Sequence, residues 1–298
     1  MFAQARTALC SVRDLLRFAV SRFEAAGLAY GHGSETAYDE AAYLILYTLR
    51  LPLDRLEPFL DARLLPAEVD SVLAVLQRRV RDRVPAAYLT HEAWLGDFRF
   101  YVDERVIVPR SHIAAALEQG LAAWLPRPAS IERALDLCTG SGCLAILLAH
   151  AFPAAAIDAS DISGAALEVA RRNVHAYGLS GRVRLIESDV FAGLSGQSYD
   201  VIVSNPPYVA ATAMAALPAE YRHEPALALA GGEDGLSVVR HILQHAGHHL
   251  TRNGVLLIEV GEGREALETA YPQLELTWLE VPAGAGSVCL LEREQLPA

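Results

Sequence analysis

The stretch ALDLCTGSGCLA, residues 134–145, decides the fold of this chain. It begins as an apolar run, passes through a turn that holds two glycines, and ends where a helix is predicted to open. In a doubly wound α/β sheet, ligands bind at the carboxyl ends of the strands. Glycines at that place let the backbone approach a ligand and adopt a positive φ angle. The stretch therefore predicts a buried strand, a ligand-binding loop and the start of a helix.

The sequence on either side of this stretch alternates between predicted strands and helices. The strands are Ala134–Cys138, Ala156–Asp161, Val183–Glu187, Tyr199–Ser204, Gly254–Val260, Glu275–Val281 and Ser287–Leu291, and the helices are Leu144–Ala151, Gly164–Tyr177 and Gly235–Leu250. The first strands are nearly continuous apolar runs, which is typical of a parallel sheet covered on both faces. Only Pro282–Gly286 separate the last two strands, so we expect an antiparallel pair at one edge. The sequence thus predicts an α/β fold with a Rossmann-like, seven-stranded sheet.

Two further segments precede this region. Residues 1–85 carry apolar residues at helical spacing, punctuated by Pro52, Pro58 and Pro66, and predict a small helical domain. This domain is either a plain helical bundle or a substrate-recognition unit. Residues 86–108 alternate aromatic and β-branched residues with polar ones, which predicts short strands in a β-hairpin connection. Residues 109–298 are then the catalytic domain.

Carboxylates follow the second and third strands of the predicted sheet. Asp161 lies where a carboxylate can accept both hydroxyls of a ribose, and Asp189 where an acceptor can meet an adenine amino group. The GxGxxG pattern is only partly matched, and no phosphate-binding P-loop exists because the chain has no lysine. A ligand with an adenosine and no phosphates fits best, although either aspartate could instead cap a helix. The residues predicted to bind this cofactor are Asp136, Cys138, Thr139, Gly140, Ser141, Gly142, Asp161, Asp189 and Asn205.

The tetrapeptide Asn205-Pro206-Pro207-Tyr208 follows the fourth strand, beside the glycine loop. An amide nitrogen is a poor nucleophile because its lone pair is delocalised into the carbonyl. The side-chain oxygen of Asn205 and the backbone carbonyl of Pro206 can each accept one of its N–H groups. Asparagine commonly bonds the N–H two residues ahead, but Pro207 has none, so the acceptor stays available. The tetrapeptide therefore predicts methylation of a planar amide or amine nitrogen, rather than an ordinary turn.

The predicted chemistry is an in-line displacement on the methyl group of S-adenosylmethionine. Asn205, Pro206 and Tyr208 are the predicted catalytic residues, and Tyr208 closes one face of the planar group by stacking. Positioning of this kind can lower a barrier by roughly 7–11 kcal/mol. The proton leaves after the transfer, so no dedicated general base is expected. The four cysteines form no CxxC pair, and no metal site is predicted.

The charge is distributed unevenly along the chain. Residues 1–90 hold 11 arginines and 11 acidic residues, so residues 91–298 carry the whole net charge of −11. An acidic catalytic region suits a basic protein substrate better than a polyanion, and no stable nucleic-acid binding is expected. Arginine and aspartate interrupt the apolar residues of the N-terminus, so neither a signal peptide nor a membrane span is predicted. We expect a soluble, cytoplasmic monomer or homodimer.

The chain resembles the protein-glutamine N5-methyltransferases, enzymes with a class I methyltransferase sheet. The similarity spans nearly the whole chain, from the helical domain through the hairpin to the Rossmann-like domain. It implies that Gly140, Gly142 and Asp161 bind the cofactor. It also implies that Asn205–Tyr208 bind the glutamine amide. Arg110 and Glu220 are further candidates for substrate binding, and a purely structural role in their loops is about as well supported.

Two branches of this family are known, acting on peptide-chain release factors or on ribosomal protein L-three of the large subunit. Cys138 stands where the release-factor branch usually has glycine. VPRSHIA, residues 108–114, is similar to VPRSPIAE of the ribosomal branch, and so is the stretch EYRHEP, residues 220–225, followed by an Asp-Gly pair. His112 and Ala115 depart from the usual proline and glutamate of that pattern. The resemblance implies methylation of a glutamine in ribosomal protein L-three.

Two alternatives remain open on the sequence alone. The first is glutamine methylation of peptide-chain release factors, which would use the same tetrapeptide. The second is adenine N6-methylation in DNA or RNA, where an exocyclic amine replaces the amide. The acidic charge of residues 91–298 and the absence of lysine argue against the second alternative. A protein that kept the fold without activity is disfavoured by the intact Asn205 and Asp161.

Overall fold

The computed structural model describes residues 1–119, 121, 125, 130–281 and 286–297. The chain divides into two compact units. Unit 1 comprises Met1–Ala93 together with Pro218–His223, and unit 2 comprises Trp94–Leu217 together with Glu224–Ala298. Within the described ranges, no helix is long and apolar enough to cross a membrane.

Unit 1 is helical. Its helices are α1 (Phe2–Ala8), α2 (Val12–Ala26), α3 (Ala37–Thr48), α4 (Pro66–Asp82) and α5 (Ala86–Thr90), with short 3-10 helices at Glu57–Phe59 and Ala219–His223. Helix α2 begins at a capping box, in which Ser11 and Asp14 each accept the backbone N–H of the other. It ends at Gly27, whose φ of 56° is left-handed. The apolar faces of α2, α3 and α4 pack on one another around Leu15, Leu44 and Leu76.

Helix α5 corrects one expectation. Strands were predicted from residue 86 onward, but Ala86–Thr90 are helical, and the hairpin follows as β1 (Glu92–Leu95) and β2 (Phe98–Tyr101). Alanine favours helix, and Pro85 lies at the N-cap, where its missing N–H removes no helical hydrogen bond. The hairpin itself turns at Gly96, which has a φ of 56°.

Unit 2 contains a seven-stranded sheet with helices on both faces. The strands are β3 (Arg133–Leu137), β4 (Ala156–Asp161), β5 (Val183–Glu187), β6 (Tyr199–Ser204), β7 (Leu250–Glu259), β8 (Thr277–Trp278) and β9 (Val288–Glu292), in the order β5-β4-β3-β6-β7-β9-β8. The helices are α6 (Ile113–Glu118), α7 (Cys143–Ala151), α8 (Gly164–Ala176), α9 (Ala211–Ala216), α10 (Ser237–His249) and α11 (Arg264–Ala270), with 3-10 helices at Ala226–Ala228 and Arg293–Gln295. The predicted fold class is confirmed.

The alternation of side chains along each strand builds a core on each face of the sheet. On β3, Ala134 packs in the core that contains α7, whereas Leu135 packs in the core that contains α10. On β7, Leu257 packs in the core that contains α7, and Ile258 packs in the core that contains α10. Because both faces are covered, apolar residues run continuously along these strands, and this is the pattern that the sequence showed.

Strands β3 to β7 pair in parallel, and β9 pairs antiparallel with both β7 and β8. The predicted antiparallel pair at one edge is therefore present. Most of the predicted connection Pro282–Gly286 lies outside the described residues, which resume at Gly286. Strand β7 begins at Leu250 instead of Gly254, and the register between β6 and β7 shifts between Tyr199 and Val201.

Candidate active site

The site forms where the strand order reverses. Strands β3 and β6 lie side by side in the centre of the sheet, and the Cα of Leu137 pairs with that of Ser204. The next residues along these two strands are Cys138 and Asn205. The glycine loop and the Asn-Pro-Pro-Tyr segment therefore leave the sheet at the same edge, at the kind of switch point where α/β sheets bind ligands.

Three residues of the loop after β3 have left-handed backbone conformations. The φ angles are 59° at Cys138, 54° at Gly140 and 80° at Gly142. A Cβ on Gly142 would lie 3.1 Å from the Cβ of Ala170, so this glycine allows helix α8 to pack against the loop. A Cβ on Gly140 would have no neighbour within 4 Å, which shows that open space lies beside the loop.

Asp136 holds this loop together from beneath. Its Oδ2 accepts hydrogen bonds from the hydroxyl of Thr139 and from the backbone N–H of Ala145, the latter at 2.9 Å. The carbonyl of Ser141 accepts a 2.8 Å hydrogen bond from the side chain of Asn173. Burial raises the pKa of Asp136 to about 7. These contacts make Asp136, Thr139 and Ser141 the internal frame of the loop.

Asp161, at the end of β4, joins the loop to the next strand. Its Oδ2 accepts the N–H of Gly140 at 2.9 Å, and its Oδ1 accepts the N–H of Ser163 at 2.9 Å. Burial raises the pKa of this carboxyl, although both N–H groups oppose the shift. Each carboxylate oxygen has two lone pairs, so both remain able to accept a further hydrogen bond from a ligand.

Asp189 lies beyond β5 on a strained turn. The next residue, Val190, has a φ of 45°, which is costly for a β-branched side chain. Ser188 stabilises the turn, because its hydroxyl donates to the carbonyl of Val190 at 2.8 Å and accepts the N–H of Gly193 at 2.8 Å. The turn holds Asp189 at the same edge of the sheet as Asp161.

Asn205 contributes an unpaired acceptor. Its Oδ1 is buried and accepts no hydrogen bond from any residue that the structure describes. The two residues that follow are Pro206, which is buried, and Pro207, and neither has an N–H to offer. A buried amide oxygen without a partner is costly, so its presence at the sheet edge indicates an acceptor kept for a ligand.

Glycines clamp the segment that carries Asn205. A Cβ on Gly231 would lie 2.7 Å from the Cα of Tyr208, and one on Gly261 would lie 2.6 Å from its ring. The N–H of Val209 donates to the carbonyl of Leu229 at 2.8 Å, and its carbonyl accepts the N–H of Gly231 at 2.8 Å. Backbone and ring of Tyr208 are thus fixed between two neighbouring segments.

A cleft of about 900 Å³, counting the open solvent at its mouth, runs along this edge. Six of the predicted site residues line it: Cys138, Gly140, Asp161, Asp189, Asn205 and Pro207. Eight others do not line it: Asp136, Thr139, Ser141, Gly142, Pro206, Tyr208, Arg110 and Glu220. Several of these shape the loops that form its wall.

Arg110, predicted to contact substrate, is engaged within unit 2. Its guanidinium forms two parallel hydrogen bonds with the buried carboxylate of Glu224, one of them at 2.7 Å. Glu224 also accepts the N–H of Val108 at 3.0 Å. A bidentate pair of this kind fixes the geometry of both partners. The arginine therefore anchors the segment that leads into the 3-10 helix Ala226–Ala228.

His112 and Ala115, which depart from the family pattern, also lie in unit 2. The backbone N–H of His112, which a proline would lack, donates to Glu259 at 3.0 Å. The hydroxyl of Ser111 donates to the same carboxylate oxygen at 2.6 Å. Burial raises the pKa of Glu259, and these bonds oppose the shift. Ala115 packs, partly buried, against an apolar core.

Glu220, the other predicted substrate contact, belongs to unit 1 and is buried there. Its Oε1 accepts hydrogen bonds from Arg79 and from Arg83, each at 3.1 Å, and from the N–H of Ala29 at 3.1 Å. Arg79 is itself buried and donates to Glu40 at 2.6 Å. These hydrogen bonds and ion pairs give the carboxylate of Glu220 a structural role within unit 1.

Comparison with known proteins adds independent findings. A family model described as "Methyltransferase small domain" matches residues 118–220. The ribosomal protein uL3 glutamine methyltransferase of Neisseria meningitidis serogroup B is 59% identical and covers 99% of this chain and 97% of its own length. Its counterpart in Bordetella pertussis is 57% identical, with 98% of each chain covered. The chain belongs to the ribosomal protein uL3 glutamine methyltransferase family.

One solved structure supports the fold of this family member. The hMettl16 catalytic domain, in complex with the MAT2A 3'UTR hairpin 6, superposes with a TM-score of 0.51 at 15% identity, covering 76% of this chain and 80% of that one. At that identity the similarity concerns the fold alone, which is the class I methyltransferase fold. The sequence-based expectation of an S-adenosylmethionine-dependent methyltransferase is confirmed.

The cleft fits the cofactor of a uL3 glutamine methyltransferase. Carboxylates at Asp161 and Asp189 suit a ligand rich in hydroxyl and amino donors, as a nucleoside is. Open space beside Gly140 leaves room for a ligand against the loop. Asn205 lines the same cleft, and its Oδ1 has no partner among the described residues, so it remains available to a donor of the substrate. When bound there, S-adenosylmethionine supplies an electrophilic methyl group.

Sequence reasoning missed several residues of this family member's cleft. The additional lining residues are Arg105, Val106, Ile107, Ser160, Ile162, Ser163, Ala166, Ser188, Val190, Pro225, Leu227, Ala228, Ala230 and Val238. Most of them lie next to a predicted residue or on a loop without a motif. The close packing around Tyr208 could have been predicted from the glycines at positions 231, 232 and 235. Glycines that close together indicate a close approach of backbone segments.

Proposed function

We propose that this chain transfers a methyl group from S-adenosylmethionine to the side-chain amide nitrogen of a glutamine in ribosomal protein uL3. The observation that carries the proposal is the buried Oδ1 of Asn205, which no described residue satisfies. Asn205 precedes two prolines and lines the cofactor cleft. Its oxygen can therefore accept a hydrogen bond from an N–H group of the substrate. The names of the relatives support uL3 as the substrate, because relatives at 59%, 57% and 48% identity are all called ribosomal protein uL3 glutamine methyltransferases.

The residues of the tetrapeptide orient the acceptor nitrogen. Asn205 Oδ1 accepts one N–H of the glutamine amide, and the carbonyl of Pro206 offers a second acceptor. Two acceptors fix both the plane of the amide and the direction of its nitrogen lone pair. The clamp on Tyr208 keeps these acceptors rigid, since the backbone hydrogen bonds of Val209 with Leu229 and Gly231 tie the segment to its neighbour. Orientation is the main contribution that a site can make to so weak a nucleophile.

Deprotonation follows methyl transfer. An amide nitrogen that has gained a methyl group carries positive charge and releases a proton readily, so water serves as the acceptor. The carboxylates that line the cleft, Asp161 and Asp189, lie after β4 and β5, whereas Asn205 follows β6 on the other side of β3. This arrangement supports their assignment to cofactor binding and not to proton removal.

The charge of the chain supports a protein substrate. Residues 91–298 carry the whole net charge of −11, which suits a basic ribosomal protein and opposes a stable complex with nucleic acid. We assign substrate recognition to the helical segment, residues 1–85, and place the enzyme in the cytoplasm, where ribosomal proteins are made. The release-factor reaction is the competing assignment within the same chemistry.

The test is methylation of purified substrates. The enzyme is incubated with isotopically labelled S-adenosylmethionine and, in separate reactions, with unmethylated uL3, an unmethylated peptide-chain release factor, and total RNA. Tryptic mass spectrometry then locates the label. We expect a single labelled glutamine in uL3 and at least ten-fold less label in the other two reactions. Preferential labelling of the release factor or of RNA would contradict the proposal, and the Asn205→Ala variant measures the background.

A further inference from the structure

Arg105 is the only cationic residue among the described residues that line the cleft. The other charged lining residues are Asp161 and Asp189. No motif in the sequence identifies Arg105, and its side chain is 42% exposed. A lone arginine in a cleft with two carboxylates gives that cleft one place where an anionic group can bind.

Asp103 orients this arginine. The Nε and Nη2 of Arg105 donate to the two oxygens of Asp103 at 2.8 Å and 2.6 Å. The carboxylate is buried, and it also accepts the hydroxyl of Tyr101 at 2.9 Å and the backbone N–H of Arg105 at 3.1 Å. The arginine holds the pKa of Asp103 at about 2, so the pair remains charged at every physiological pH. The guanidinium therefore has a fixed plane.

The pair leaves donors available. A guanidinium has five N–H donors in a planar fork, and the two bonds to Asp103 use Nε and Nη2 only. The side chain of Arg105 also interacts with that of Tyr101, and the Nη1 group lies outside the two bonds to Asp103. A carboxylate is the anion that this geometry recognises best, because its two oxygens match adjacent N–H groups.

We propose that Arg105 binds the carboxylate of the methionine moiety of S-adenosylmethionine. The inference rests on the proposed placement of the cofactor in this cleft. Asp161 and Asp189 accept from the hydroxyl and amino groups of the nucleoside end, and they repel a carboxylate. Among the described residues that line the cleft, Arg105 alone carries a positive charge that attracts the carboxylate, so the two ends of the cofactor are distinguished by charge. Asp103 is a positioning residue, since it acts through the arginine.

Two ligands that differ only in the carboxylate test this assignment. Binding of S-adenosylmethionine and of decarboxylated S-adenosylmethionine is measured by calorimetry on the wild type, on Arg105→Met and on Arg105→Lys. We expect the wild type to bind S-adenosylmethionine ten- to one-hundred-fold more tightly than the decarboxylated ligand. In Arg105→Met this preference falls to two-fold or less, while affinity for the decarboxylated ligand is unchanged. Arg105→Lys keeps the charge without the fork and retains part of the preference.

Arg252→Met is the matched control, because Arg252 is exposed on β7 and does not line the cleft. It should keep the full preference. An equal loss of affinity for both ligands in Arg105→Met would show a structural role and overturn the proposal. An unchanged preference with a raised KM for the protein substrate would assign the arginine to a substrate carboxylate and also overturn it. If the wild type bound neither ligand, the placement of the cofactor itself would be wrong.

Discussion

The ring of Tyr208 lies against the backbone of Gly261, and this contact allows the rigidity of the catalytic segment to be tested. A Cβ built on Gly261 would lie 2.6, 2.9 and 3.1 Å from three ring atoms of Tyr208. Carbon atoms normally approach to about 3.5–4.0 Å, so Gly261→Ala forces the ring to move by about 1 Å. Gly261 also has a φ of 53°, which alanine adopts only with strain.

The expected magnitude combines these two effects. A left-handed alanine costs about 1–2 kcal/mol, and overpacking in a close-packed region costs about 1–3 kcal/mol. We therefore expect Gly261→Ala to lower the free energy of unfolding by about 2–5 kcal/mol. Because Tyr208 ends the segment that carries Asn205, a shift of about 1 Å there should also lower kcat/KM for methyl transfer by about a hundred-fold.

Gly178→Ala separates the two effects. Gly178 has a φ of 68°, and a Cβ placed there would meet nothing within 4 Å, so this variant has the backbone strain without the clash. Urea unfolding and methyl transfer are measured for both variants, with affinity for S-adenosylhomocysteine as a third readout. We expect Gly178→Ala to lose stability but keep its activity, and Gly261→Ala to keep its cofactor affinity. Equal activity of the two variants would refute the idea that the Tyr208 contact holds the catalytic segment in place.

Two further predictions concern buried carboxylates. The pKa of Asp136 is raised to about 7 in the folded protein, so its contribution to stability is present at pH 4 and is lost as the pH rises through 7. Urea unfolding should therefore show Asp136→Asn gaining stability relative to the wild type between pH 4 and pH 7, by up to about 1.4 kcal/mol per pH unit; a difference independent of pH would contradict this. Arg110→Met leaves the buried carboxylate of Glu224 without its cation, and should cost about 3 kcal/mol in urea unfolding. Adding Glu224→Gln should recover part of that loss, and a loss below 1 kcal/mol for Arg110→Met alone would refute a structural role for the pair.

The strands of the sheet could be predicted because burial on both faces leaves a continuous apolar signal. Val183–Glu187 and Tyr199–Ser204 have the predicted bounds. Strand β7 was predicted to begin four residues too late, since Thr251, Arg252 and Asn253 are polar and lie at an irregular part of the ladder. Helix α5 was missed because Tyr88 and Leu89 fit a strand as well as a helix, and local propensity decided the outcome.

The site was predictable only where chemistry depends on a local motif. The glycine loop and the Asn-Pro-Pro-Tyr segment can be recognised from a few consecutive residues. Arg105 and the pairing of Glu224 could not be recognised in this way, because nothing local marks Arg105 as a residue of the cleft, and Arg110, the partner of Glu224, is distant in sequence. Glu220 shows the converse: its stretch resembles a family motif, yet the carboxylate is buried among arginines of unit 1.

The central claim is that Asn205 orients the acceptor amide, and one comparison tests it most directly. Single-turnover methyl transfer to unmethylated uL3 is measured for the wild type and for Asn205→Ala, together with the affinity of each for S-adenosylhomocysteine. Because the side-chain oxygen has no partner among the described residues, its removal should leave the fold intact. We predict that the rate falls by at least a hundred-fold while cofactor affinity changes by less than three-fold. A normal rate with normal cofactor affinity would contradict the account.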